Sequence, residues 1–183
     1  MKNILLTSCG LETKVIEDAF LKMLPKSANE IKALFIPTAA VFPDAISVLP
    51  KCLNDLLKCG IKKENIDVYD LHRKKTAINY DVIYLCGGSP QYLMERINEI
   101  GFDSEIKSHI ESGKIVVGVS AGSMVFANNV ENSLGLLPYS LAVHCSTDIC
   151  DAPGVINDEN KNCIFLGNRQ AVIFNENSIE IIE

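Results

Sequence analysis

The stretch Ile115–Met124, which reads I-V-V-G-V-S-A-G-S-M, constrains the fold of this chain more than any other. Four of its first five residues are Ile or Val, which is typical of a strand buried on both faces of a sheet. The strand runs into a tight turn with Ser120 at its tip, and the residues after the turn can begin a helix. Gly118 and Gly122 lack the Cβ atoms that would clash across so sharp a turn. This layout is that of a nucleophile elbow and predicts a reactive Ser120, although an ordinary strand–helix turn can carry the same motif.

Apolar runs of strand length alternate with helical patterns along the chain up to Ser120. The predicted strands are Lys2–Leu6, Ala33–Ile36, Ile66–Tyr69, Val82–Leu85 and the strand before Ser120. The predicted helices are Val15–Leu24, a helix from Pro43 that kinks or restarts at Pro50 and ends at Gly60, Pro90–Ile100 and Ser104–Glu111. This alternation predicts a mainly parallel sheet with helices on both faces, a three-layer α/β/α sandwich. At 183 residues we expect one domain spanning 1–183.

The pattern changes after residue 130, where short apolar runs alternate with turns. The runs are Leu141–Val143, Cys163–Leu166, Ala171–Phe174 and Ile179–Ile182. They predict late strands or hairpins on one side of the sheet, and the segment 174–178 reads as the turn of a terminal hairpin.

Composition excludes several function classes. The net charge is -6 and there is no basic stripe, so nucleic acid is not an expected partner. The chain has 7 cysteines without a C-x-x-C pair, so we expect neither a disulfide framework nor a metal site, and no cofactor. Free thiols favour a reducing cytoplasm. No apolar stretch is long enough to span a membrane, so no membrane association is expected.

A nucleophilic serine needs a base, and the chain offers 3 histidines. His72 lies in a charged stretch and His109 lies mid-helix between charged residues, so we expect both to be solvated. His144 follows an apolar run downstream of Ser120, at the end of a predicted strand. His144 is therefore the candidate base.

The loops that follow parallel strands gather at one edge of the sheet, where sites in such folds lie. Three loops meet there, namely Thr7–Gly10, Gly87–Ser89 and Val119–Ala121. Acyl transfer also needs hydrogen-bond donors for the oxyanion. The Ala121 amide comes with the elbow, and Gly87 or Gly88 could supply a second amide.

At these residues the chain resembles the peptidase E (alpha-aspartyl dipeptidase) family of serine peptidases, which includes cyanophycinase. Leu85–Leu93 matches the family's G-G-x-x-x-x-L block, and Gly118–Ser123 matches its G-x-S-A-G. Leu5–Gly10 and the run Leu134–Pro138 that leads to His144 also fit. The resemblance implies a fold related to the class I glutamine amidotransferases and flavodoxin.

The resemblance also implies the roles of the site residues. Ser120 would be the nucleophile, His144 the general base, and the Gly88 and Ala121 amides the oxyanion hole. Gly87 and Ser89 would contact the substrate. The implied activity is hydrolysis of short peptides in a narrow cleft through an acyl-enzyme, and a homodimer is a possible assembly.

Two departures from the family pattern concern the acid and the substrate. Glu131 is the only carboxylate between Ser120 and His144, which makes it the candidate third member of the triad, with Asp148 and Asp151 as alternatives. The segment after His144 lacks the Arg-containing run that would recognise an aspartyl side chain. Arg169, the only arginine after Arg96, is the remaining candidate for binding a carboxylate, so aspartyl specificity is doubtful.

Three alternatives remain. An esterase or amidase could use the same Ser–His chemistry, and a relative could have lost activity. The loop Thr7–Thr13 also occupies the place of a flavodoxin phosphate loop, which would make the protein a small-molecule-binding module. The absence of Trp and the carboxylate of Glu12 argue against that module.

Overall fold

The computed structural model describes residues 3–146, 155–158, 161–174 and 178–183. The strands are β1 (Asn3–Thr7), β2 (Ala33–Ile36), β3 (Ile66–Val68), β4 (Val82–Leu85), β5 (Ile115–Val119), β6 (Ser140–Cys145), β7 (Val155–Asp158), β8 (Lys161–Gly167), β9 (Ala171–Phe174) and β10 (Ile179–Ile182). The α-helices are α1 (Lys14–Met23), α2 (Pro43–Ser47), α3 (Leu49–Lys58), α4 (Pro90–Ile100), α5 (Phe102–Glu111) and α6 (Ala121–Met124). Short 3₁₀ turns occupy Ala28–Glu30 and Lys63–Asn65. The predicted restart near Pro50 is confirmed, because α2 ends at Ser47 and α3 begins at Leu49.

In the described part of the chain, seven strands form the central sheet in the order β10-β9-β1-β5-β4-β2-β3. The five strands from β1 to β3 in this order are parallel, and β9 and β10 add an antiparallel hairpin beside β1. The prediction of a mainly parallel α/β sheet is therefore confirmed, and so is the terminal hairpin.

The other late strands differ from the prediction. β6, β8 and β7 form a separate three-stranded sheet instead of extending the central one. In this small sheet β6 and β8 are parallel, with a register shift between Ala142 and Cys145. Short apolar runs do not specify their partner strand, which is why the sequence did not separate the two sheets.

Two hydrophobic cores lie on opposite faces of the central sheet, because neighbouring residues of each strand point to opposite sides. Leu5 of β1 faces α1 and α3, whose Phe20 and Leu56 are fully buried. Leu6 of β1 faces the second core, which includes apolar residues of α4, α5, α6, β6 and β8. Burying one such side chain contributes about 1.5–3 kcal/mol, so the layers are held mainly by these cores.

His109 lies differently from the prediction. Its side chain is only 4% exposed, on the inner face of α5, and its Nε2 lies 3.0 Å from the carbonyl oxygen of Ile115. Burial lowers the pKa of His109 to about 4, so the ring is neutral near pH 7 and donates to that carbonyl. His72 is exposed, as predicted. Charged neighbours on a helix do not reveal which face the residue occupies, and this explains the error for His109.

The parallel register brings the ends of three neighbouring strands to one edge. Thr7, Leu85 and Val119 end β1, β4 and β5, and the candidate site residues follow them directly. Among the described residues no helix has the length and apolarity needed to cross a membrane.

Candidate active site

Ser120 sits in a strained turn between β5 and α6. Its φ and ψ are 50° and -111°, which a residue with a side chain rarely adopts. A Cβ on Gly122 would lie 2.2 Å from the carbonyl oxygen of Leu85, and one on Gly118 would lie 2.5 Å from that of Gly122. The backbone N–H of Ser120 donates to the carbonyl of Thr7 at 2.9 Å. The two glycines and β1 together hold the geometry of a nucleophile elbow.

His144 lies next to the serine. Ser120 Oγ and His144 Nε2 are 2.9 Å apart, which is hydrogen-bonding distance. His144 itself has a positive φ of 59° near the end of β6. Its backbone N–H donates to the buried hydroxyl of Ser8 at 2.7 Å. The consecutive residues Thr7 and Ser8 therefore position both Ser120 and His144, a role of Ser8 that the sequence did not predict.

The second nitrogen of the imidazole meets Asn168. His144 Nδ1 and Asn168 Oδ1 are 2.9 Å apart. Asn168 lies in the turn between β8 and β9, and this turn adjoins His144 because Cys145 of β6 pairs with Gly167 of β8. An amide oxygen only accepts hydrogen bonds, so the pair favours the tautomer with hydrogen on Nδ1 and a free lone pair on Nε2.

Glu131, the carboxylate first predicted as the third member of the triad, does not take this place. Glu131 lines a separate hollow with Glu95 and Asn98 of α4, away from the imidazole. Asp148 and Asp151 lie outside the described residues. No distinctive sequence signal marks Asn168, because asparagine is also a common structural residue in turns.

The two amides predicted to form the oxyanion hole are those of Gly88 and Ala121. Gly88 has a φ of 138°, and a Cβ there would lie 1.9 Å from the carbonyl oxygen of Ala39, so only glycine fits. The Ala121 amide begins α6 directly after the serine. Within the described part of the chain, neither amide donates to a backbone carbonyl outside regular secondary structure. Both are therefore available to a substrate oxygen.

A pocket of about 400 Å³ opens beside Ser120 and His144. It is bounded by the β1–α1 loop, by α2 and α3, and by the glycine loop after β4. The lining residues are Ser8, Cys9, Ala45, Val48, Lys51, Cys52, Gly87, Gly88, Val119, Ser120 and His144. No group of three or more His, Cys, Asp or Glu side chains in the described residues converges in a way that could hold a metal ion.

The residues predicted to contact the substrate lie in different places. Gly87 lies in the pocket, and a Cβ there would be 3.2 Å from the Cβ of Ser120. Ser89 caps α4, since its hydroxyl accepts from the Tyr92 amide at 3.2 Å. Arg169 is exposed in the turn beside Asn168 and is not part of the pocket wall.

The loop after β1 differs from a phosphate loop in the use of its amides. The Gly10 amide donates to Thr7 Oγ1 at 2.9 Å, and the Leu11 amide donates to Asp55 Oδ2 at 3.0 Å. Asp55 is buried, and burial raises the pKa of its carboxyl group. Two amides that would bind phosphate are thus already used, which argues against the flavodoxin-like interpretation.

Comparison with known proteins decides the family. The model of peptidase family S51 matches residues 4–144, most of the chain. The chain belongs to peptidase family S51. The matched residues include Ser120, His144 and the glycine loop, whereas Asn168 lies beyond them.

Individual relatives agree with this family. An uncharacterized peptidase of Pasteurella multocida is 28% identical over 135 residues, which cover 72% of this chain and 63% of the relative. A peptidase E of Shewanella denitrificans is 27% identical over 159 residues, covering 78% of this chain and 65% of the relative. The chain thus spans slightly less than two thirds of the length of these curated relatives.

The fold is shared with solved structures. A putative peptidase E from Listeria monocytogenes superposes with a TM-score of 0.78 at 18% identity, covering 100% of this chain and 98% of that one. A peptidase from an acI-B1 actinobacterium gives a TM-score of 0.68 at 17% identity, covering 100% and 87%. At such identities the likeness concerns the fold of this S51 member alone.

Proposed function

We propose that this S51 chain is a serine peptidase that hydrolyses short peptides through an acyl-enzyme on Ser120. The observation that carries the proposal is the 2.9 Å contact between Ser120 Oγ and His144 Nε2, both of which line the pocket. The strained turn exposes the hydroxyl, and Asn168 orients the base from the other side of the ring. A nucleophile, a base and a group that orients the base are the parts that covalent acyl transfer needs.

Acylation follows from these positions. Ser120 Oγ attacks the carbonyl carbon of the scissile peptide bond while His144 Nε2 accepts its proton. The negative charge that develops on the carbonyl oxygen is stabilised by the Gly88 and Ala121 amides. The C–N bond then breaks, and His144 donates the proton to the leaving amine. The amine departs with the C-terminal part of the peptide, which leaves an ester on Ser120.

In deacylation a water molecule is the nucleophile and the Ser120 oxygen is the leaving group. His144 Nε2 takes a proton from a water molecule, whose oxygen attacks the ester carbonyl. The same two amides receive the oxyanion, and the Ser120 oxygen leaves with the proton from His144. The products are a free carboxylic acid and the regenerated hydroxyl. Throughout, the Asn168 oxygen accepts the hydrogen of Nδ1 and stabilises the charged ring.

The test is turnover of a dipeptide panel by the wild type and by Ser120→Ala, His144→Ala and the double variant, with the released amines quantified by liquid chromatography. We expect each single variant to lose on the order of 10³-fold or more in kcat. Because the two residues act as a unit, the double variant should lose no more than the worse single variant. Undiminished turnover by Ser120→Ala would refute the proposal, and a panel of acyl esters run beside it distinguishes a peptidase from an esterase.

A further inference from the structure

The wall of the Ser120 pocket that faces α2 and α3 is apolar. Ala45, Val48 and Cys52 contribute side chains to it, and Val119 contributes from the end of β5. Burial raises the pKa of Cys9, which lies 3.6 Å from His144 Nδ1, so this thiol also stays uncharged near neutral pH. The surface that a peptide meets beside the nucleophile thus favours a neutral side chain.

One charged side chain, Lys51, lies in this wall, and it already has a partner. Its ammonium group forms an ion pair with Glu12 from the β1–α1 loop. The hydrogen bond that Lys51 donates to Glu12 raises the pKa of Lys51, so the ammonium group stays protonated. A substrate carboxylate would have to compete with Glu12 for Lys51 and would meet the charge of Glu12 itself.

The apolar wall continues onto the surface through Val48. The segment 41–48 exposes four large apolar side chains within eight residues, at 41% (Val41), 62% (Phe42), 51% (Ile46) and 46% (Val48). Exposed clusters of this kind mark binding surfaces more often than scattered single residues do. Val48 belongs to both the cluster and the pocket, so the apolar wall reaches the protein surface at this residue.

From this wall we infer that the pocket selects peptides with a neutral apolar side chain, such as that of leucine, next to the scissile bond, and disfavours aspartyl. The inference rests on the proposed peptidase function and names its substrate class. Apolar contact with Val48, Ala45 and Cys52 supplies the selectivity, and the ion pair with Glu12 offsets the positive charge of Lys51. One methylene in an apolar enzyme pocket changes kcat/KM by about 10–200-fold, so the preference is measurable.

The first experiment compares kcat/KM for Leu-Leu, Asp-Leu, Leu-Asp and Asp-Asp with the wild-type protein. We expect Leu-Leu to exceed Asp-Asp by about tenfold or more. Faster turnover of the aspartyl peptides would overturn this inference and leave the peptidase function intact. Turnover of none of the four would overturn both.

Variants of the wall locate the selectivity. Val48→Asp places a charge in the pocket and should lower kcat/KM for Leu-Leu about tenfold or more, whereas Ile46→Asp adds the same charge outside the pocket lining and should leave it within about twofold. Glu12→Gln frees Lys51 and should raise turnover of Asp-Leu several-fold with little change for Leu-Leu. Equal effects of Val48→Asp and Ile46→Asp, or no gain for Asp-Leu in Glu12→Gln, would overturn the inference.

Discussion

Asn168 offers the sharpest prediction, because its amide oxygen takes the place expected for a carboxylate. In Asn168→Ala the 2.9 Å contact to His144 Nδ1 is lost, and the turn keeps its backbone. The ring becomes positively charged when it accepts the Ser120 proton, and a hydrogen bond to a charged group contributes about 1.5–3 kcal/mol. This hydrogen bond stabilises the charged ring of the transition state. Its loss therefore corresponds to a fall in kcat of about 10–150-fold, with KM nearly unchanged.

Asn168→Asp tests the same contact by its charge. The carboxylate keeps an acceptor at Nδ1 and favours the protonated imidazole, so it raises the pKa of His144. His144 works as a base in its neutral form, and the acidic limb of the kcat/KM–pH profile therefore moves to higher pH in this variant. At a pH above that limb, Asn168→Asp should retain at least the wild-type kcat.

Glu131→Gln is the matched control, since Glu131 lines a separate hollow. It should keep wild-type kcat and the wild-type pH profile in the same dipeptide assay. The reasoning would be refuted if Glu131→Gln lost activity while Asn168→Ala kept it.

Three further predictions concern the surroundings of the site. Ser8→Ala removes the acceptor of the His144 amide at 2.7 Å and should lower kcat about tenfold, with rescue by Ser8→Thr; an equal loss in both variants would contradict a hydroxyl role. In Gly88→Ala the new Cβ would lie 1.9 Å from the Ala39 oxygen and displace the amide, so kcat should fall on the order of 10²–10³-fold. Circular dichroism of the same variant checks that it still folds. The pKa of His109 is about 4 in the folded state and its ordinary value is 6.5, so the unfolded chain binds the extra proton between these values. Urea unfolding should show about 3 kcal/mol lost as pH falls from 6.5 to 4, and a smaller loss in His109→Gln; equal losses would refute this.

The parallel sheet and the elbow were predictable because both depend on patterns of neighbouring residues in the sequence. Buried parallel strands read as continuous apolar runs, and the turn at Ser120 needs Gly118 and Gly122 within five residues of chain. His144 was predictable because few histidines compete with it. These features depend on residue type at short spacing.

The orientation of the histidine was not predictable in the same way. Asn168 reaches His144 only through the pairing of β6 with β8, and Ser8 reaches it from the end of β1. Both contacts join residues far apart in the chain, and neither residue type is unusual in a loop. The expectation of an acid between Ser120 and His144 pointed to Glu131. In the fold Glu131 lies beside α4 and not at the imidazole of His144. Burial of His109 likewise depends on which face of α5 packs on the sheet.

The central claim is that Ser120 is a nucleophile activated by His144, and covalent labelling tests it most directly. The protein is treated with a fluorophosphonate, and the modified peptide is located by mass spectrometry. The account predicts one adduct, on Ser120, formed much more slowly in His144→Ala and absent from Ser120→Ala. No adduct on Ser120, or labelling that is equally fast without His144, would contradict it.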